Sequence, residues 1–289
     1  MYATFMTTNI GTEQQWPEIF DRHPGLEDAL NALIDLTEKD TAPVKLGSKA
    51  DEVIFALSRV CIEECWEILL LAANQYANGS SKLLRGLYER ALTLTYISKF
   101  PDKAERFYKY GAIQEHRMLS HARKMYSDEQ LNEVLAPLTV GDIENNFDTV
   151  KSDFQKTRCK TCKTTELAHS WDIDVVTMAG KVGESFPDLL LSAYIVPTLE
   201  LHTTLASAFS RTTSTQTTVT FDYRPSQSSI DFCILQALAL IYIVRSVVVK
   251  TFSQPLEAEI ERFGKAFRRA WAEETPAANN SKPARRNAG

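Results

Sequence analysis

The sequence lacks the features that mark an exported or membrane-spanning protein. Residues 1–15 have neither a positively charged start nor a continuous apolar stretch, so we expect no secretory signal. The longest apolar run, residues 232–249, is interrupted by Gln236 and Arg245. Because a central arginine costs a spanning helix about 3 kcal/mol, this run is predicted to be a buried core helix, with no membrane as partner.

A positive charge balance and an even set of cysteines are also missing. The net charge is −5 at pH 7, so no global basic field favours nucleic acid as a partner. The cysteines number five, an odd count in a chain for which no export signal is expected. Free thiols in a reducing compartment follow from this, and we expect a cytoplasmic protein.

Standard catalytic and cofactor motifs are absent from the sequence. It contains no phosphate-binding glycine loop, no dinucleotide fingerprint and no Gly-x-Ser-x-Gly elbow, which disfavours nucleotide-loop enzymes and common hydrolases. Cys159 and Cys162 have the spacing of a zinc knuckle, but no second such pair follows them. His169 is the nearest third ligand. We therefore predict no cofactor and no metal, with zinc at these three residues as the weaker alternative.

What the sequence does contain is a succession of apolar residues at helical spacing. Ser48 is predicted to cap a long helix that ends near Tyr76, and its broad apolar arc indicates a central position. The next helix is predicted to begin at Ser80 or Ser81 and to end near Phe100. A third helix opens at Pro101, with an inner stripe predicted at Ala104, Phe107, Tyr108, Gly111, Met118, Ala122 and Met125. The short connection before Pro101 indicates an antiparallel helical hairpin.

The second half of the chain shows the same helical pattern with interruptions. A modest helix is predicted over residues 143–154, a basic loop over 156–163 and a short helix ending at Gly183. Residues 185–209 are predicted to form one long helix, kinked at Pro197, with these residues facing inward: Leu191, Tyr194, Ile195, Thr198, Leu201, His202, Leu205, Ala208 and Phe209. Residues 217–223 have strand-like composition but no clear partner, so an extended loop is expected.

These patterns predict an all-α, multi-helix bundle built on long antiparallel helices. We expect a single domain over residues 26–273, preceded by a poorly ordered lead at 1–25 and followed by a disordered tail at 274–289. A homodimer through a long helix is compatible with this architecture, although no feature of the sequence requires it.

Polar residues at helical spacing indicate where chemistry could occur. Tyr194, Thr198 and His202 stack along one otherwise apolar stripe, where a histidine could exchange a proton and a tyrosine could orient it. The structural alternative is that the three residues satisfy one another inside the core.

A second candidate is Arg85 with Glu89, one helical turn apart. An exposed pair at this spacing has no functional meaning. Gly86 argues for close approach of another helix or a ligand, because glycine costs a helix about 1 kcal/mol relative to alanine.

Arg117 and His121 form a third candidate, in which an arginine could bind phosphate beside a proton donor. The simpler interpretation is that both residues are solvent-exposed and belong to no site. No spacing argument chooses between a site and a structural role for any of the three candidates.

Several of these segments together resemble a bacterial all-helical family of unknown function. They are Leu83-Leu84-Arg85-Gly86-Leu87-Tyr88-Glu89, the aromatic residues of 107–110, Ser170-Trp171 and Tyr194-x-x-x-Thr198-x-x-x-His202. The family is known by an Arg-x-x-x-Glu helix and a later Tyr-x-x-x-Ser-x-x-x-His helix, and Thr198 keeps the hydroxyl of that serine. The resemblance covers about residues 49–211 and implies that Arg85, Glu89, Tyr194 and His202 are the functional residues.

More distantly, the pattern is similar to HEPN domains, which are helical bundles of bacterial defence and toxin–antitoxin systems. Many of them are dimeric, metal-independent ribonucleases that use an arginine and a histidine with four to six residues between them. Arg117-x-x-x-His121 has one residue too few for that pattern. The shorter spacing is compatible with those HEPN-like members that are catalytically inert binding modules.

Two functions follow as hypotheses. The first is a helical module that binds a small-molecule ligand or a protein partner in a defence or toxin–antitoxin context. The alternative is a HEPN-like, metal-independent ribonuclease, for which RNA would be the substrate. It would use His202 or His121 as acid and base, and Arg85 or Arg117 would stabilise the phosphate. The lack of standard catalytic motifs favours binding.

Overall fold

The computed structural model describes residues 16–39, 44–157, 161–162, 165–201, 209, 211–215, 217–221 and 226–272. The described chain is mostly helical, with two short hairpins, which confirms the predicted all-α, multi-helix class. One apolar cluster extends from Ile19 near the start to Ala270 near the end and forms the main core.

Two helices precede the centre of the bundle, α1 (Trp16–Arg22) and α2 (Leu26–Lys39). Helix α1 lies inside the segment predicted to be a poorly ordered lead, and residues 1–15 of that segment lie outside the described part. The order of α1 has a packing cause, since Ile19 is buried and the His23 ring stacks on Trp271 at 4.7 Å.

The central hairpin consists of α3 (Lys49–Ala73) and α4 (Ala77–Lys99). The predicted cap of α3 is confirmed, because the Ser48 hydroxyl accepts a hydrogen bond from the backbone N–H of Asp51. Helix α3 ends before the predicted Tyr76, at a turn in which Gln75 adopts the left-handed φ of 63°.

The start of α4 differs from the prediction. The helix begins at Ala77, so Ser80 and Ser81 lie inside it. Ser80 is buried, and its hydroxyl donates to the Ile68 carbonyl of α3 at 3.2 Å. The hydroxyl that was predicted to cap α4 instead ties it to α3.

A 3-10 turn (Pro101–Lys103) leads into α5 (Ala104–Ala122), as predicted. The predicted inner stripe of α5 is wrong beyond its first turns. Tyr108, Met118 and Met125 are exposed, and the buried residues of this helix are Ala104, Tyr110, Ile113 and Leu119. Helix α5 packs on α3 only in part and pairs mainly with α7 (Val140–Val150), so the predicted face is left in solvent.

The segment around α7 also holds α6 (Asp128–Leu135), which the sequence analysis did not predict. After a 3-10 turn (Lys151–Phe154), the expected basic loop is replaced in part by an antiparallel hairpin of β1 (Gln155–Thr157) and β2 (Thr165–Leu167). The backbone N–H and C=O groups of the two strands bond to each other, so the hairpin forms without an alternating apolar pattern in the sequence.

The predicted short helix is α8 (Val175–Val182), which ends at Gly183 with φ 67°. The long helix predicted after it is divided into α9 (Phe186–Leu190), a π-helical turn (Leu191–Ile195) and α10 (Val196–Leu201). The division lies next to Pro197, where a break was predicted.

The predicted inner face of this segment is wrong. Leu191, Ile195, Leu201 and Phe209 are exposed. The buried residues are Phe186, Ala193 and Pro197, which share one face at helical spacing, and the four exposed residues lie outside that face. Residues 202–208 lie outside the described part of the chain.

The C-terminal third contains a second antiparallel hairpin, β3 (Thr212–Ser214) with β4 (Val219–Phe221), where an unpaired loop was expected. Two helices follow, α11 (Gln227–Phe252) and α12 (Glu257–Ala272). Ser226 caps α11 through a hydrogen bond from the backbone N–H of Ser229.

Helix α11 packs against α3, α4 and α12. Among the described helices it is the one that is long and apolar enough to cross a membrane, and 61% of its apolar window is buried in the fold. Arg245 is fully buried and Gln236 nearly so. This burial agrees with the prediction of a core helix.

Candidate functional site

Arg85 of α4 and Tyr194 of the π-helical turn meet in the fold. The guanidinium carbon of Arg85 lies 5.4 Å from the centroid of the Tyr194 ring, within the range of a cation–π contact. Nη2 of Arg85 also donates to Oε1 of Glu89 at 3.2 Å. Three of the residues selected from the sequence are thus neighbours, although they come from distant segments.

Tyr88 fixes the Tyr194 side of this contact. The two rings lie 5.8 Å apart, and the Tyr88 hydroxyl donates to the Phe186 carbonyl at 2.9 Å. Burial raises the pKa of Tyr88 far above its usual value, and Tyr194 adds to the effect. Tyr88 therefore stays neutral and acts as a rigid support.

The hydrogen-bonding capacity of Arg85 is only partly used. Its side chain is 22% exposed, and within the described residues its one ion pair is the bond to Glu89. Its buried Nε–H has no hydrogen-bond partner there. A guanidinium has five N–H donors, and buried polar groups are normally satisfied. Arg85 therefore keeps donors for another group.

The predicted polar stripe of Tyr194, Thr198 and His202 forms only in part within the described chain. The Thr198 hydroxyl donates to the Tyr194 carbonyl one turn earlier, so it satisfies its own helix. His202 lies outside the described residues. Tyr194 is the stripe member that the structure places against α4.

A cavity of about 300 Å³ with partly polar walls lies near this contact, between the first turns of α4 and α11, the π-helical turn and α10, although Arg85 and Tyr194 do not line it. Ser81 lies in its wall, one turn before Arg85, and Val196 lies two residues after Tyr194. The other polar or thiol-bearing side chains of its wall are Asn78, Ser192, Glu200, Ser228, Ser229 and Cys233. The cavity combines hydroxyls with a single carboxylate.

Glu200 is the charged group of this cavity. Its Oε2 atom is buried and has no hydrogen-bond partner in the described chain. Burial raises the pKa of Cys233 to about 12, and the nearby Glu200 carboxylate adds to the effect. The thiol is therefore neutral at pH 7. Glu200 was not predicted because it lies on the face of Ala193 and Pro197, which the apolar spacing did not identify as the inner face.

Gly86 shows the close approach that its presence predicted. A Cβ atom at this position would lie 2.6 Å from Nη1 of Arg90 and 2.9 Å from Oε1 of Glu64. These two side chains form an ion pair of 2.6 Å between α4 and α3. The neighbour is therefore another helix rather than a ligand.

Comparison with known protein families decides the relationship. The family model described as a family of unknown function (DUF5677) matches residues 51–216. The chain belongs to DUF5677. No curated protein and no solved structure matches it. The matched region contains Arg85, Glu89, Tyr194 and His202, whereas α11 and α12 lie beyond it.

In this DUF5677 chain, Arg117 and His121 occupy different environments. Arg117 donates to the Tyr110 hydroxyl at 2.9 Å and to the Ala168 carbonyl at 2.6 Å, which ties α5 to the end of β2. His121 is exposed, and its Nδ1 lies 3.5 Å from the Lys124 ammonium. The structure gives Arg117 a structural contact and leaves His121 at the surface.

The candidate zinc ligands are only partly described. Cys162 and His169 are exposed, and Cys159 lies outside the described residues. Among the residues that the structure describes, no three or more His, Cys, Asp or Glu side chains group as a metal site. Cys61 and Cys65 are buried in α3, and burial raises the pKa of both thiols far above the usual value.

Proposed function

We propose that this DUF5677 protein is a non-catalytic helical module that binds a small polar ligand at Arg85. The observation that carries the proposal is the partly buried guanidinium, which has one ion pair and an unused Nε–H within the described chain. An arginine held in place without a full set of acceptors is suited to a carboxylate or phosphate that arrives as a ligand.

The surroundings of Arg85 suggest what else the ligand carries. Glu89 is an acceptor beside Arg85, and the nearby cavity adds serine hydroxyls and Glu200, whose Oε2 atom is buried. An anionic oxygen facing Arg85 and an amine or hydroxyl facing the carboxylates would satisfy both sides. The cavity of about 300 Å³ suits a small metabolite.

The form of the ribonuclease alternative that uses Arg117 and His121 has little support. Arg117 donates to the Tyr110 hydroxyl and the Ala168 carbonyl, and His121 lies at the surface beside Lys124. The form that uses Arg85 with His202 depends on a histidine that lies outside the described residues. Binding needs only Arg85 and its neighbours, so we propose binding as the function of the Arg85 site.

Ligand-induced stabilisation tests the proposal. The melting temperature is measured with a panel of small carboxylates, amino acids and phosphate esters, for the wild type, Arg85→Met and Lys82→Met. Lys82 is exposed on the same helix, so its variant loses the same charge without touching the site. A ligand at ten times its Kd stabilises the folded state by about 1.4 kcal/mol, which raises the melting temperature by several degrees.

We expect at least one anionic compound to stabilise the wild type and Lys82→Met equally. The same compound should leave Arg85→Met unchanged. If no compound stabilises the wild type, or if Arg85→Met responds as the wild type does, Arg85 is not a ligand-binding residue.

A further inference from the structure

A second, larger cleft lies at the opposite end of α4. It has a volume of about 900 Å³ and lies between the end of α4, the start of α9, the second half of α11 and the last turns of α12. Ser98 marks its position on α4, about 20 Å along the helix axis from Arg85. The two sites are therefore separate.

The inner wall of this cleft is mainly apolar. Leu189, Ile243, Val247 and Phe267 line it, with Ala239 between them and the ring of Tyr242 beside them. A pocket of this size with apolar walls and a few polar groups is typical of small-molecule sites. The walls favour a ligand with an aromatic or aliphatic body.

The cations at the rim of the cleft differ in whether they are paired with an acidic residue. The Lys99 ammonium is occupied, because it donates to Glu184 at 2.7 Å and to the Val182 carbonyl at 2.8 Å. Lys250 and Arg268, in contrast, have no ion pair within 4 Å among the residues that the structure describes, although the Glu261 carboxylate interacts electrostatically with Arg268. Asp188 is the remaining charged residue of the rim.

Hydroxyl groups complete the polar part of the cleft. Ser98, Ser185, Ser246 and Thr251 line it together with the cations. With Lys99 and Glu184 paired, the two unpaired cations exceed Asp188, so the rim favours a negatively charged group. The Ser98 and Ser246 hydroxyls donate to carbonyls of their own helices, so binding of the anionic group depends mainly on the two cations.

We infer that this cleft is a second ligand site, which binds a small molecule with an apolar body and one anionic group. The apolar body lies against Ile243, Val247 and Phe267, and the anionic group lies between Lys250 and Arg268. Both cations come from α11 and α12, beyond the residues 51–216 that match the family, so the site is a property of this chain rather than of the matched region.

Two fluorescent probes with similar ring systems test this inference. The first is 1-anilinonaphthalene-8-sulfonate, and the second is N-phenyl-1-naphthylamine, which lacks the sulfonate. Their Kd values are measured for the full-length wild type, for Lys250→Gln with Arg268→Gln, for Ala239→Phe, which fills the cleft, and for Arg85→Met. Lys265→Gln is the matched control, because Lys265 lies on α12 but does not line this cleft.

We expect the sulfonate probe to bind the wild type, Lys265→Gln and Arg85→Met with the same Kd. Its Kd should rise at least tenfold in the double variant, in which the neutral probe should bind unchanged. Ala239→Phe should weaken both probes. The inference is overturned if the wild type does not bind the sulfonate probe, or if the double variant binds it as the wild type does. Equal weakening of both probes by the double variant, or unchanged binding in Ala239→Phe, would overturn it as well.

Discussion

At the scale of single residues, the fold distinguishes arginines that hold the structure from one that is available. Arg117 and Arg90 use their guanidinium groups to join separate elements, through Ala168 and Glu64 respectively. Arg85 contacts an aromatic ring and one residue of its own helix. The sequence contains all three in similar helical patterns, so the difference arises only from what each side chain meets.

The Glu64–Arg90 pair makes the free energy of unfolding depend on pH. Burial raises the pKa of Glu64, and Arg90 opposes this effect. A carboxyl group whose pKa is raised by folding favours the folded state at low pH, and that contribution is lost as the pH rises through the folded-state pKa. Loss of Arg90 should raise this pKa further and leave a buried negative charge at neutral pH.

We therefore expect Arg90→Gln to lower the free energy of unfolding by about 1–2 kcal/mol at pH 7, since Arg90 is partly exposed and solvent screens the pair. The loss should shrink near pH 4, where Glu64 is protonated. Arg90→Lys serves as the control and should recover part of the loss. Urea unfolding at the two pH values measures it, and a loss that is equal or larger at pH 4 would contradict this account.

At the scale of elements, close helix packing explains residues that helix propensity disfavours. Gly264 of α12 lies against α11, and a Cβ atom there would be 2.6 Å from Cε2 of the Tyr242 ring. Around Gly111 of α5, no described atom outside the backbone of its own helix lies within 4 Å of the Cβ position. The same residue type thus has a packing role in one helix and none in the other.

These two glycines should respond to alanine in opposite directions. Gly264→Ala forces a rigid ring to move and should lower the free energy of unfolding by about 1–3 kcal/mol. Gly111→Ala should raise it by about 0.5–1 kcal/mol through helix propensity. Thermal or urea unfolding of both variants checks this. Stabilisation by Gly264→Ala would show that α11 and α12 are not packed as closely as described.

The extent to which the sequence predicts these elements depends on the kind of signal. Caps and breaks are local, so Ser48 and Gly183 were placed correctly from neighbouring residues. The face that a helix buries depends on its neighbours in the fold, and the predicted inner face of residues 185–209 was wrong because Phe186, Ala193 and Pro197 are buried instead. Both hairpins were missed because each has exposed three-residue strands held by backbone pairing.

The same distinction applies to the candidate site. Helical spacing identified Arg85, Glu89 and Tyr194, and the structure places them together. Spacing did not reveal Glu200 or the cavity, because both depend on how α10 meets the first turns of α4 and α11. Nor did it reveal that Gly86 accommodates an ion pair from α3, since Glu64 lies on another helix.

At the scale of the whole molecule, the packed core extends beyond the residues that match the family. The match ends at residue 216, but α11 packs against α3 and α4 inside the main core. Six of its apolar residues are fully buried, namely Ala237, Leu238, Leu240, Ile241, Val244 and Val248. Without α11, the central hairpin would expose the apolar surface that these residues cover.

A fragment limited to residues 51–216 should therefore fail to form a cooperative fold. Loss of several buried side chains at about 1.5–3 kcal/mol each is as large as the 5–15 kcal/mol that stabilises a typical domain. Circular dichroism melting compares the fragment with residues 16–272, which retain α1 to α12. A cooperative transition with native helix content in the fragment would show that α11 is an accessory to the fold.

The central claim is that Arg85 serves a ligand rather than the fold, and the free energy of unfolding of Arg85→Met tests it most directly. Methionine keeps a contact with the Tyr194 ring, and Glu89 is exposed enough to tolerate the loss of its partner. We predict that urea unfolding without ligand will place the variant within about 1 kcal/mol of the wild type, or above it. A loss of about 3 kcal/mol or more would identify Arg85 as a structural residue and contradict the account.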